Sequence, residues 1–179
     1  SNEKRDYRIF EEFATILIQK ARALRQDEPF DLPVKGNVYA FDSSTVSLCL
    51  SLFPWAKFKY GKSAVKLHAQ YDVRTNIPSL VVVTPASVND KRGIDFLCIE
   101  HGSYYIFDRG YNDFARLYSI NLKDGYFVIR ANDNLKFRRI YSIKGERDKS
   151  IIADQIGVFT TGLSPKRYPD KIRRVKYHD

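Results

Sequence analysis

Tyr104-Tyr105-Ile106-Phe107-Asp108-Arg109-Gly110-Tyr111 decides how this chain is read. Its apolar and aromatic residues suit a short buried strand that runs straight into an acid and a glycine-containing turn. The same order stands earlier in Asn37-Val38-Tyr39-Ala40-Phe41-Asp42, followed by Ser43-Ser44-Thr45. Each acid therefore closes a strand expected to be central, and in open α/β sheets ligands bind outside the carboxyl ends of such strands. If the two strands are neighbours, the carboxylates of Asp42 and Asp108 converge, which is costly unless positive charge lies between them. A hard divalent cation with oxygen ligands meets that need and favours magnesium over zinc. The competing reading makes Asp42 a cap for the Ser43-Ser44-Thr45 turn and Asp108 a cap for the next helix.

Outward from these acids, the pattern predicts a helix over about Asp6 to Gln26, with Phe10, Phe13, Leu17, Ala21 and Leu24 on one stripe. Pro29 and Pro33 then mark a connector. Ala64 to Val73 alternates, with Val65, Leu67, Ala69 and Tyr71 on one face and Lys66, His68, Gln70 and Asp72 on the other. Arg74-Thr75-Asn76 reads as a turn into a strand at Leu80 to Thr84, completing a hairpin. A helix is expected from Asn89-Asp90, another over Asn112 to Asn121, and a strand at Tyr126 to Ile129. Three leading strands followed by alternating helices and strands give an α/β fold, a mixed sheet with an antiparallel edge flanked by helices. Phe137 to Ile143, Ile151 to Thr160 and Ile172 to Tyr177 read as antiparallel strands with no helix between them.

The 179 residues suffice for one domain with a real core. A hydrophobic content of 44% and an aromatic content of 14% exclude a disordered chain. No apolar run is long enough to span a membrane and no secretory signal is present, so no membrane partner is expected. Cys49 and Cys98 make neither a disulfide framework nor a metal cluster; both are expected to be small buried residues, with a cytoplasmic setting as the default. The net charge of +9 is uneven: residues 134–179 hold 12 Lys and Arg against 5 Asp and Glu, and so carry +7 of it. That asymmetry points to a polyanionic partner. The chain begins Ser1-Asn2, contains no Met and stops after a basic strand, which reads as a piece of something longer.

Taken in order, these stretches resemble the DDE transposases of bacterial insertion sequences. Tyr39-Ala40-Phe41-Asp42-Ser43-Ser44-Thr45 resembles the family's first-aspartate motif, and Asp108-Arg109-Gly110-Tyr111 its second. Between them, Lys66-Leu67-His68 is similar to its Lys-x-His strand and Val88-Asn89-Asp90 to its helix start. Tyr126-Phe127-Val128-Ile129-Arg130 resembles the strand from which its β-rich insertion departs. The resemblance implies a ribonuclease-H-like fold and a site of two aspartates and a glutamate around two Mg2+ ions, with Mn2+ expected to substitute. Asp42 and Asp108 would be the first two acids, both catalytic and metal-binding. The Tyr-x-x-Arg-x-x-x-Glu helix that carries the third is absent, and Glu100 and Glu146 stand in loop-like contexts. The third acid is therefore expected beyond Asp179, leaving a fragment inactive alone.

The implied partner is double-stranded DNA, with self-association in a synaptic complex and a nucleoid-associated location. The implied activity is cleavage at element ends and strand transfer to target DNA. A non-catalytic DNA-binding relic and a two-metal nuclease without strand transfer are the alternatives. Residues 1–36 would form a helical region and connector, 37–133 a partial catalytic core and 134–179 the start of a basic β-rich insertion. Lys66 and His68 read either as DNA-backbone contacts or as solvent-exposed residues of an edge strand. Arg109 suits a phosphate or a neighbouring acid, Tyr111 suits packing beneath the site more than base stacking, and Asp90 suits a helix cap. Arg138, Arg139, Arg173 and Arg174 are the further candidates for DNA contact. Trp55, among the aromatics and lysines of residues 53–60, suits a single-strand contact or a covered core position.

Overall fold

The computed structural model describes residues 6, 8–25, 27–30, 32–48, 56–58, 62–143, 150–160 and 162–178. Cys49, Trp55 and Glu146 lie outside the described residues.

A six-stranded mixed sheet forms the centre. Strands β1 (Val38–Leu48), β3 (Lys62–Asp72) and β4 (Ile77–Pro85) are antiparallel neighbours, and the two-residue β2 (Lys57–Phe58) also pairs with β3. On the other side of β1, β5 (Tyr104–Phe107) and then β6 (Tyr126–Ile129) join in parallel. The hairpin between β3 and β4 turns at Asn76, whose φ of 54° is the left-handed conformation that Asn tolerates better than most residues. A 3₁₀ segment, Asp90–Phe96, crosses from β4 toward β5, and helix α2 (Phe114–Asn121) connects β5 to β6. Asp113 caps α2 by accepting from the Arg116 amide at 3.3 Å, and the Arg116 guanidinium pairs with Asp95 at 2.9 Å, tying the helix to the 3₁₀ segment. The core lies on this covered face: Tyr39, Phe41, Ile94, Leu97, Tyr105, Phe107, Tyr111, Leu117 and Ile120 are all buried.

Three expectations change. β1 does not stop at Asp42 but runs to Leu48, because β3 continues to pair with it through Leu48 and Ser63. The element after Asn89 is 3₁₀ rather than α, and buried Gly93 inside it brings its backbone directly against Phe41 and His68. Cys98 is exposed, since the chain has left the core after Leu97. Helix α1 (Arg8–Arg25) forms as its stripe predicts, but none of its residues is buried.

The predicted basic strands form a second, three-stranded antiparallel sheet of β7 (Phe137–Ser142), β8 (Ile151–Phe159) and β9 (Ile172–Tyr177), with the single-turn α3 (Ser164–Arg167) between the last two. It joins the central unit through aromatics: Phe159 lies 4.2 Å from Phe114 between ring centres, and buried Tyr168 packs on Tyr118, Phe127 and Phe159. No helix among the described residues is long and apolar enough to cross a membrane.

Candidate active site

Strand register builds the site. Val38 to Phe41 pair in parallel with Tyr104 to Phe107, Phe41 opposite Phe107, so Asp42 and Asp108 are the next residue on each strand. Asp108 continues extended (φ −75°, ψ 172°), and neighbouring strands lie about 4.8 Å apart. Phe41 and Phe107 point into the core, so alternation turns both acids outward, and both are exposed. Asp108 Oδ1 accepts from the Gly110 amide at 2.8 Å, so the cap reading of Asp108 holds for one oxygen of its carboxylate. Neither acid forms a salt bridge with a Lys or Arg among the described residues. Arg109 instead approaches Asp133 at 3.8 Å, with both side chains largely exposed.

Beneath the acids a polar chain runs from half-buried Ser43 into the core. Ser43 Oγ is 2.7 Å from His68 Nδ1 and 2.6 Å from the Tyr111 hydroxyl, and His68 Nε2 is 3.0 Å from Thr84 Oγ1. His68 is 0% exposed and Tyr111 2%. Burial is the main effect pushing the Tyr111 phenol up to about 12; Asp42, Asp90 and Asp108 reinforce it and Ser43 opposes it. Burial, with Lys66 adding repulsion, holds the His68 imidazole below its ordinary pKa.

Lys66 and His68 are therefore internal rather than exposed on an edge. β3 is flanked by β1 on one side and β4 on the other, and the 3₁₀ segment covers the polar face of its alternation. Lys66 is 7% exposed; its ammonium donates to the Val88 carbonyl at 2.6 Å and pairs with Asp90 at 2.7 Å. The cap of the 3₁₀ segment is Asn89, which accepts from the Lys91 amide, while Asp90 is held by Lys66. Glu100 stands at the opposite end of the strands, where its carboxylate accepts from Asn37 at 3.0 Å and from the Tyr39 hydroxyl at 2.8 and 2.9 Å. Tyr111 packs beneath the acids, against Phe41 and Phe107.

The remaining arginines fall on the second sheet, on both of its faces. Arg139 and Arg174 lie with Gly157 and Gln155, and Arg138 and Arg173 with Val158 and Ile156. Ser43, Thr84 and Gly93 escaped the sequence reading as site residues. Ser43 was visible only as part of the Asp-Ser-Thr run, and no spacing marks the other two.

The donor set fits a hard divalent cation in part: two exposed carboxylates on neighbouring strands, neither paired with a Lys or Arg among the described residues. Among the described residues no group of three His, Cys, Asp or Glu comes together. This strand order and the paired acids define a ribonuclease-H-like α/β domain.

The chain belongs to the transposase DDE domain family, whose model matches residues 34–177. It is 29% identical over 98% of its length to a Sinorhizobium fredii protein named as a candidate transposase, y4zB, and covers 48% of that protein. It is 28% identical over 76% of its length to a Geobacillus stearothermophilus protein named as a candidate transposase for insertion sequence element IS5377, and covers 35% of that one. The chain thus spans half or less of the length of the curated relatives it matches. No solved structure matches it significantly.

Proposed function

We propose that this chain is part of a DNA transposase in which Asp42 and Asp108 bind Mg2+ for cleavage of element ends and strand transfer to target DNA. The parallel register that sets Asp42 beside Asp108 carries the reading. Asp42 and Asp108 would hold hard divalent cations, which would supply the positive charge that a displacement at phosphorus needs on its attacking and leaving oxygens. The contribution of this chain is to hold two carboxylates outward on a rigid sheet, with one oxygen of Asp108 already fixed by the Gly110 amide. Arg109, only weakly engaged by Asp133, is free to meet a phosphate beside them.

Residues 1–36, 37–133 and 134–179 divide, in this reading, into a helical region, the acid-bearing core and a basic β-rich insertion. Within the insertion, the face with Arg139, Arg174 and Lys176 is the DNA contact, because no acid from the three strands shares it, whereas Asp154 pairs with Arg173 on the other. Self-association would bring two such chains to paired element ends.

Residues 1–179 alone are expected to show no Mg2+-dependent DNA cleavage, since two carboxylates are an incomplete donor set. The test has two arms. A crystal grown with Mn2+ should show Asp42 and Asp108 sharing an ion by its anomalous signal. A full-length relative with pre-cut ends should join them to target DNA and lose joining when the acid matching Asp42 or Asp108 becomes Asn. Release of cut product without joining would establish a nuclease instead. Cleavage by residues 1–179 that disappears in Asp108→Asn would show that an acid within them completes the site.

A further inference from the structure

We propose that Ser43, His68 and Tyr111 are positioning residues that set the separation of Asp42 and Asp108 through one hydrogen-bonded chain, half-buried at Ser43 and buried at His68 and Tyr111, and with it the affinity of the pair for a divalent cation. This rests on the reading of the two aspartates as cation ligands. The chain runs from Tyr111 through Ser43 and His68 to Thr84 and links the 3₁₀ turn Arg109–Tyr111, β1, β3 and β4. Its two ends of interest are tied to the acids by covalent geometry. Ser43 follows Asp42 on β1, so holding Ser43 inward holds Asp42 outward. Tyr111 closes the turn whose first amide-to-side-chain bond is made by Asp108. The 2.6 Å contact between Ser43 Oγ and the Tyr111 hydroxyl thus clamps the two acid-bearing segments directly beneath the acids.

An apolar set would fill this space more simply. The imidazole sits between Phe41, whose ring is 6.3 Å away, and Phe96, at 5.7 Å, with Gly93 pressed against it. Polar groups buried in such surroundings are costly unless satisfied, and here both ring nitrogens and both hydroxyls that flank the acids have partners. A satisfied buried chain has directional bonds, which fix distances that dispersion contacts leave adjustable. Neutral His68 donates from one nitrogen and accepts at the other, so the chain has one direction at a time.

The test is Mn2+ binding by residues 1–179, followed by the EPR signal of free Mn2+ at fixed total metal, together with thermal unfolding. Tyr111→Phe and Ser43→Ala are expected to weaken binding about tenfold, the usual effect of losing a residue that orients a metal ligand. Ser43→Thr, which keeps the hydroxyl, should bind as wild type does. Tyr105→Phe, which removes a buried hydroxyl bonded to the Cys98 carbonyl away from the acids, should cost stability and leave Mn2+ affinity unchanged. A folded Tyr111→Phe with wild-type affinity overturns the proposal; should that variant not fold, equal affinities of Ser43→Ala and Ser43→Thr do so. Mn2+ bound by no chain, or bound equally well by Asp108→Asn, sinks the two-aspartate site itself and this proposal with it.

Discussion

Gly93 decides whether His68 can be covered. A Cβ at this position would stand 2.7 Å from His68 Nδ1 and 2.8 Å from the Phe41 ring, closer than side-chain carbons come. Gly93→Ala should therefore cost about 2 kcal/mol of stability through overpacking, seen as a lowered thermal midpoint. A wild-type midpoint would mean that the 3₁₀ segment moves aside freely. His68 itself makes stability depend on pH. Its folded pKa lies below the ordinary 6.5, because burial disfavours the imidazolium and Lys66 repels it, with Asp90 opposing. Well above 6.5 the imidazole is neutral in folded and unfolded chains alike and contributes no pH dependence. As pH falls below that value the unfolded chain takes up the proton first, so stability drops until the lowered folded pKa is passed. Denaturant midpoints at about pH 7.5 and about pH 5.5 should differ more for wild type than for His68→Gln, and equal differences would remove His68 from the account. At this scale the sequence was legible in kind but not in direction. The alternation from Lys66 to Asp72 is plain, yet alternation does not say which face is covered. Here the polar face went inward, because Gly93 admits a backbone over it and Asp90 reaches Lys66.

Among the elements, the β7–β9 sheet shows how much register adds to pattern. The three strands were readable from their turns and alternation, and so was their excess of charge. Two register shifts, between Arg139 and Tyr141 and between Ile151 and Ala153, could not be read, and they determine which side chains share a face. Arg174 lies over the Phe137 ring at 4.2 Å and donates to Gln155 at 2.6 Å, whereas Arg173 grips the Asp154 carboxylate at 2.6 and 2.9 Å. The pair Arg139→Glu and Arg174→Glu should therefore weaken duplex binding and flatten its salt dependence, since no acid from the three strands shares their face. Arg138→Glu with Arg173→Glu should change duplex affinity less and stability more, because Asp154 is buried and loses a bidentate cation worth about 1–3 kcal/mol. Fluorescence anisotropy across a salt series separates the two pairs, and the opposite ranking would place the duplex on the other face. The 3₁₀ segment was legible as a capped helical start, but the cap is Asn89 and the geometry is tighter, because Gly93 is a poor α-helix former with a packing task.

Taken whole, the molecule keeps most of its positive charge apart from the two candidate acids. Periodicity located α1 and the strands, but it could not show that no residue of α1 is buried, or that Val81, Val83 and Val128 stay exposed on the sheet's other face. Those facts depend on what packs against an element, and an apolar stripe carries no record of its partner. Asp42 and Asp108 were legible as candidates because each follows an apolar run, although β1 continues past Asp42 to Leu48, and the parallel pairing of β1 with β5 sets them side by side. The charge balance then gives a sign that can be tested. Residues 134–179 carry +7 of the +9, so the attraction for a polyanion comes from one part of the chain, while Asp42 and Asp108 present two negative charges in another. Under the proposed reading a phosphate must approach those acids. Without a divalent cation they repel it, and with one they attract it. Asp42→Asn with Asp108→Asn should therefore tighten duplex binding in EDTA, on the order of fivefold at low salt, because two repulsive charges leave the path of the backbone. The same double variant should gain nothing from Ca2+ at matched ionic strength, whereas wild type should gain. Anisotropy titrations of both chains in EDTA and in Ca2+ measure the four affinities. Equal affinities of wild type and variant under both conditions would place the acids outside the path of the DNA, and the basic sheet alone would then account for binding.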